Sequence, residues 1–297
     1  MPLTPHARGL LLTALGVLIL SPDSLLIRLV DTDIWTLSWW RGILGFVLMF
    51  AAVLVFNRRS LFEIVRDIPF AGFLVASLYA LSNLGFVAAL SSTTAANALL
   101  IIATTPLWAA LLSWFWLGEK LARPTQLALA ICAVGLVIIF GDELRRHSGL
   151  GELFALVASW SLAINLVLIR RLRRYNMIPM SALGAGLVAL VALPFAEPMS
   201  LNAVQIGWMA VLCAFVLPVS FALITLGPRH LFAAEVAMLF LIETVLGPIW
   251  VWLVIGEKPT AMALAGGAMI VLTLMGHSVW RLGWLPARTG SKSRGPL

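Results

Sequence analysis

Apolar residues gather into ten runs along the chain, at roughly 9–30, 34–56, 69–89, 94–117, 124–141, 150–170, 177–196, 205–226, 231–255 and 259–280. Within each run apolar positions are nearly continuous, and each run approaches the about 20 residues an α-helix needs to cross a hydrocarbon core. Charged residues collect in the short gaps between runs. The pattern predicts ten transmembrane helices joined by short loops, an all-α integral membrane protein without a separate water-soluble domain. The first run exceeds the roughly 7–15 residues of a signal-peptide core, and no small-x-small cleavage site follows it, so it reads as a retained helix.

Composition supports lipid as the solvent. Hydrophobic residues make up 61% of the 297, charged residues 11%, and mean hydropathy is +1.02, whereas a soluble domain carries about 25% charged residues. The net charge of +7 would suit nucleic acid, but Lys and Arg fall in short clusters between apolar runs, which fits a membrane surface instead. No nucleic-acid partner is expected. Cys132 and Cys213 each lie inside an apolar run, and no spacing suggests a disulfide framework, a metal site or a cofactor.

Charge also gives orientation. With ten spans both ends share one side, which would hold fifteen basic residues: Arg8, Arg58, Arg59, Arg66, Lys120, Arg123, Arg170, Arg171, Arg173, Arg174, Arg229, Arg281, Arg288, Lys292 and Arg294. The other side would hold three, Arg145, Arg146 and Lys258, and Arg28 and Arg41 lie within spans or at their ends. The bias predicts a bacterial inner-membrane protein with cytoplasmic N- and C-termini.

The chain repeats itself. "WLGEKL" at 116–121 and "VIGEKP" at 254–259 share Gly-Glu-Lys at an offset of 138, and the same offset brings Ala95-Ala96 onto Ala233-Ala234 and Trp114 onto Trp252. "LLIRL" at 25–29 matches "VLIRR" at 167–171 at an offset of 142. Two matches in order indicate a duplicated five-helix unit, residues 1–142 and 150–281, followed by a tail at 282–297 expected to be disordered. Five is odd, so the second copy enters the membrane from the opposite side. Two inverted five-helix repeats of this kind place a substrate site near the bilayer midplane, at the repeat interface.

On "WWRG" (39–42), "TTPLWAALLSWFWLGEKL" (104–121) and "LIETVLGPIWVWLVIGEKP" (241–259), the chain resembles the EamA branch of the drug/metabolite transporter superfamily over nearly its whole length. The resemblance implies ten helices in two EamA-like halves and the export of amino acids or other small metabolites. That family usually carries Pro after the Glu of the ninth helix; here the position is Thr244, and Pro248 follows one turn later.

Ionisable groups inside a membrane are expensive and point to function. Asp23 lies seven residues before the outer end of the first segment and Arg41 seven residues into the second. At 1.5 Å per residue both sit about 10 Å below the outer surface, so they are expected to pair, as a structural ion pair or an outer gate. Pro22 frees a backbone carbonyl beside them. Arg28 and its repeat counterpart Arg170 fall near the exit ends of their helices and read as interface anchors. Asp23 aligns with Asn165, a polar group at both equivalent places. Glu243 lies at midplane with no basic residue at its depth; such a carboxylate either keeps its proton or faces a wet cavity. Glu235, one turn into the same helix, reads as an interface group.

Polar and aromatic side chains at middle depth complete a candidate substrate pocket: Tyr79 and Asn83 on the third segment, with Phe86 on the same face; Asn97, Thr104 and Trp108 on the fourth; Trp160 and Ser161 on the sixth; and Glu243. Trp35, Trp39 and Trp40 read as an interfacial belt. The chain has no H-E-x-x-H, G-x-S-x-G or Walker motif, so a metalloprotease, a serine hydrolase and an ATP-driven pump are all unsupported. The expectation is a secondary transporter, not an enzyme. It would export neutral or aromatic amino acids or similar small metabolites, as a monomer or homodimer, with protons as the candidate coupling ion. The alternative is an exporter of lipophilic cations or drugs, with Glu243 as counter-ion.

Overall fold

The computed structural model describes residues 5–57, 69–118, 123–143 and 150–256, with scattered positions between 258 and 276. The expected tenth segment is described only at those scattered positions, and the tail at 282–297 lies outside the described residues. The helices are α1 (Pro5–Leu20), α2 (Asp23–Val30), α3 (Ile34–Asn57), α4 (Ala71–Ser92), α5 (Ala95–Ile102), α6 (Thr105–Leu117), α7 (Arg123–Glu143), α8 (Leu150–Arg171), α9 (Ile178–Ala192), α10 (Ala203–Ala210), α11 (Leu217–Leu226), α12 (Ala233–Leu239) and α13 (Leu241–Ile255). A π-helical turn, Val211–Val216, joins α10 to α11. Among the described residues no strand occurs.

Seven helical stretches are long and apolar enough to cross a membrane: His6–Val30, Ile34–Leu54, Ala71–Ser92, Ala98–Leu117, Leu150–Arg171, Ala203–Arg229 and Glu235–Ile255. Gln126–Gly135 within α7 and Ile178–Ala192 are shorter apolar helices. The surface is that of a protein solvated by lipid: Phe115, Leu127, Phe215 and Leu253 stand exposed, while Asp23, Arg41, Asn165 and Glu243 are buried.

Three of the runs that read as continuous are broken helices. In the first, Pro22 has no N–H to donate to the carbonyl of Leu18, four residues back. Ser21 satisfies that carbonyl instead, through its N–H at 3.3 Å and its hydroxyl at 2.9 Å, and the helix restarts at Asp23. In the fourth, Pro106 leaves the carbonyl of Ile102 free, and the Thr105 hydroxyl donates to it at 2.5 Å. The ninth breaks at Phe240, before α13. The fourth and ninth runs break within a residue of equivalent places, since α5 ends at Ile102 and α12 at Leu239, 137 residues apart against the repeat offset of 138. Both end on glycine in the left-handed conformation, Gly118 at φ 65° and Gly256 at φ 83°, where L-residues with a Cβ are strained.

Helices from the two halves interleave. α4 lies along α8, α3 along α9 and α1 along α11; α6 packs on α8 and α12, and α13 on α2 and α5. The α3–α9 contact depends on Gly42 of the "WWRG" run. A Cβ there would fall 2.5 Å from the Ala189 nitrogen and 2.7 Å from the Ala185 oxygen, so a larger residue would force the two backbones apart.

Candidate functional site

The breaks bring ionisable residues to the centre of the bundle. Asp23 opens α2 immediately after the first break and is 2% exposed. Its carboxylate sits where the unpaired N–H groups of a helix start favour negative charge. Arg41 on α3 meets it in a fork, Nη1 donating to Oδ1 at 2.5 Å and Nη2 to Oδ2 at 3.1 Å. The same Nη2 lies 3.4 Å from Asn83 Oδ1 on α4, and the guanidinium stands 5.9 Å from the centre of the Phe86 ring. Arg41 Nε is buried without a hydrogen-bond partner among the described residues.

Glu243 occupies the first turn of α13, where its N–H donates to the Phe240 carbonyl at 3.0 Å. It therefore also sits at the N-terminal end of a half-helix inside the membrane, the arrangement through which discontinuous helices present a binding site. It is 6% exposed, and its Oε1 has no hydrogen-bond partner among the described residues.

A cavity of about 60 Å³ joins these groups. Its polar lining is Asp23, Arg41, Tyr79, Ser82, Asn83, Asn165, Ser181, Thr225 and Glu243, and its aromatic lining includes Phe86, Phe221 and Phe240. Tyr79 packs edge-on against Phe221, ring centres 5.1 Å apart. Ser82 donates to the Ala158 carbonyl at 3.1 Å, and Asn165 Nδ2 to the Val75 carbonyl at 2.7 Å, so α4 is pinned to α8 along the cavity wall. With one guanidinium, two carboxyl groups and a ring of aromatic faces, the cavity offers partners for a small solute carrying an ammonium group beside apolar surface.

The structure thus brings Asp23, Arg41, Tyr79, Asn83 and Glu243 to one place. Glu243 is not remote from basic charge, as depth along the chain suggested, because Arg41 lines the same cavity. Thr104, Trp108, Trp160 and Ser161 are not among its described lining residues. Thr104 accepts from Trp108 Nε1 at 3.0 Å and lies 2.9 Å from Ser159 Oγ, while the Trp108 and Trp160 rings pack 4.8 Å apart. This is a separate α6–α8 contact, with Trp160 43% exposed on the outer face. Ser161 is buried nearby, turned away from Trp160 by one helical step. The Asn97 side chain lies outside the described residues.

Sequence reading missed Ser82, Ser181, Phe221 and Thr225. Ser181 and Thr225 stand 3.2 Å apart across α9 and α11. Both sit in runs without charge, and a lone hydroxyl in an apolar run carries no signal of depth. Asn165 did carry one, its alignment with Asp23.

An all-helical chain with an apolar exterior and a central cavity of buried ionisable groups is a multi-pass membrane protein. The EamA-like transporter family profile matches residues 7–141 and again 149–279, and the chain belongs to that family, which makes it a transporter rather than an enzyme. It is 27% identical over 273 residues to an uncharacterized transporter of Archaeoglobus fulgidus, covering 90% of this chain and 94% of that one. It is 29% identical over 218 residues to the uncharacterized transporter YdfC of Bacillus subtilis, covering 70% of each. A protein of known crystal structure shares the fold, with a TM-score of 0.73 at 18% identity over 93% of this chain and all of that one.

Proposed function

We propose that the protein is a secondary-active transporter of the bacterial inner membrane that exports neutral or aromatic amino acids, or similar small metabolites, by alternating access. The observation that carries this reading is the convergence of Glu243 and the Asp23–Arg41 pair on one cavity walled by Tyr79, Phe86 and Phe221. Glu243 Oε1, buried without a partner among the described residues, is an acceptor for an ammonium group or a proton. Arg41 Nε, likewise without a partner among the described residues, is a donor for a carboxylate. The aromatic faces cover an apolar side chain. The same Glu243 oxygen equally favours a second reading, export of a lipophilic cation, in which the Arg41 donor goes unused.

The duplication, read as two inverted repeats, is what suggests alternating access. Helix pairings recur between the halves: α4 with α8 corresponds to α11 with α1, and the fourth and ninth spans meet each other. Protons are the proposed coupling ion, with Glu243 as carrier. The test is counterflow on purified protein in liposomes with a panel of labelled amino acids and organic cations. Exchange of zwitterions supports the first reading, exchange of cations alone selects the second, and no exchange of either refutes both.

A further inference from the structure

Two arginines outside the cavity are tied to turns. Arg28, at the end of α2, donates from Nη2 to the carbonyl of Thr93, in the turn after α4, at 3.1 Å. Thr93 passes the connection across to the other half: its hydroxyl donates to Glu152 Oε1 at 3.1 Å, in the first turn of α8. Arg170, the counterpart of Arg28, ends α8. It donates from Nη1 to the carbonyl of Pro228, in the turn after α11, at 3.2 Å, and its guanidinium lies 5.0 Å from the centre of the Phe232 ring. Here too a carboxylate reaches the other half. Glu235 accepts from the Phe232 N–H at 3.1 Å, and its Oε2 lies 3.6 Å from His6 Nε2 on α1.

The packing under each corner is also duplicated. A Cβ at Gly151 would come within 2.8 Å of Thr93, and one at Gly9 within 3.0 Å of Leu231. Gly9 and Gly151 differ by 142, Thr93 and Leu231 by 138, the two repeat offsets. The arginine-to-turn contact and the glycine packing recur in both corners, while the carboxylates stand at different repeat positions, Glu152 matching Leu10 and Glu235 matching Asn97. The corners stand at opposite ends of a single helix, because Glu152 and Arg170 belong to the first and last turns of α8, about 27 Å apart at 1.5 Å per residue. The cavity lies between them, lined on α8 by Ala158, Leu162 and Asn165.

We infer that the two corners are latches that close the central cavity from opposite faces of the membrane: Arg28–Thr93–Glu152 at one face and Arg170–Phe232–Glu235–His6 at the other. Each combines an arginine that holds a turn within its own half with a carboxylate that holds that turn to the other half. Both are engaged in this structure, and the cavity between them is about 60 Å³. Opening either face breaks one latch and leaves the other. This inference rests on the alternating-access reading and adds to it the residues that set the balance between the two faces.

The test reads sidedness, not flux. A cysteine at Ser181, in the cavity lining, is placed on a background lacking Cys132 and Cys213, and an impermeant thiol reagent is applied to right-side-out and to inside-out membrane vesicles without substrate. Arg28→Gln should raise labelling several-fold from the face that carries Thr93. Arg170→Gln should raise it several-fold from the opposite face. Thr93→Val and His6→Gln, milder changes that each remove one latch contact, should shift labelling in the same respective directions and serve where an arginine variant fails to accumulate. Unchanged sidedness, or shifts toward the same face, overturns the latches. Opposite shifts in a protein that exchanges no tested solute keep the latches and refute the export readings proposed above.

Discussion

Asp23 and Arg41 neutralise each other only while both are present. Removing one leaves the other charged and buried, at a cost of about 3–5 kcal/mol. Asp23→Asn and Arg41→Gln should therefore each lower the thermal unfolding midpoint in detergent and the folded yield, and the exchange Asp23→Arg with Arg41→Asp should recover part of the loss. Wild-type midpoints for both single variants would contradict the pair's importance. This pairing was legible because depth can be counted along a helix from its ends. The same counting failed for Glu243: it treats the ninth span as a straight rod, whereas the chain breaks at Phe240 and the half-helix α13 brings Glu243 to the cavity that Arg41 also lines.

At the scale of elements, hydropathy located the helices and missed their breaks. Run 94–117 is apolar throughout, yet it divides into α5 and α6. The available signal was a hydroxyl residue directly before proline, Ser21-Pro22 and Thr105-Pro106, which supplies the donor for the carbonyl the proline frees. The α3–α9 contact allows a controlled test. Gly42→Val has no space beside the Ala185–Ala189 backbone and should cost about 1–3 kcal/mol or more, read as a lower unfolding midpoint. Gly45→Ala, whose Cβ would make an ordinary 3.4 Å contact with Ala185, should stay near wild type. Equal tolerance of both would show that the backbones can part without penalty.

Across the whole molecule, the duplication read from Gly-Glu-Lys and the Leu-Ile-Arg runs reappears in the paired breaks, the paired left-handed glycines and the paired corners. A count of ten spans makes the topology testable. A cysteine replacing Met199, 95% exposed in the α9–α10 connection, should react with impermeant reagent from outside intact cells. One replacing Arg173, exposed between α8 and α9, should not; equal labelling would overturn the assignment of sides. The central claim is that solute passes through the cavity and engages Glu243. Glutamine at that position keeps shape and hydrogen-bonding capacity but cannot titrate, and it should leave folding intact. The most direct measurement is counterflow and pH-jump uptake on wild type and Glu243→Gln side by side in liposomes. The account predicts that the variant loses its response to a pH gradient while retaining exchange, or loses substrate affinity if Glu243 is the counter-ion for the solute's ammonium. Wild-type affinity together with a wild-type pH response would contradict it.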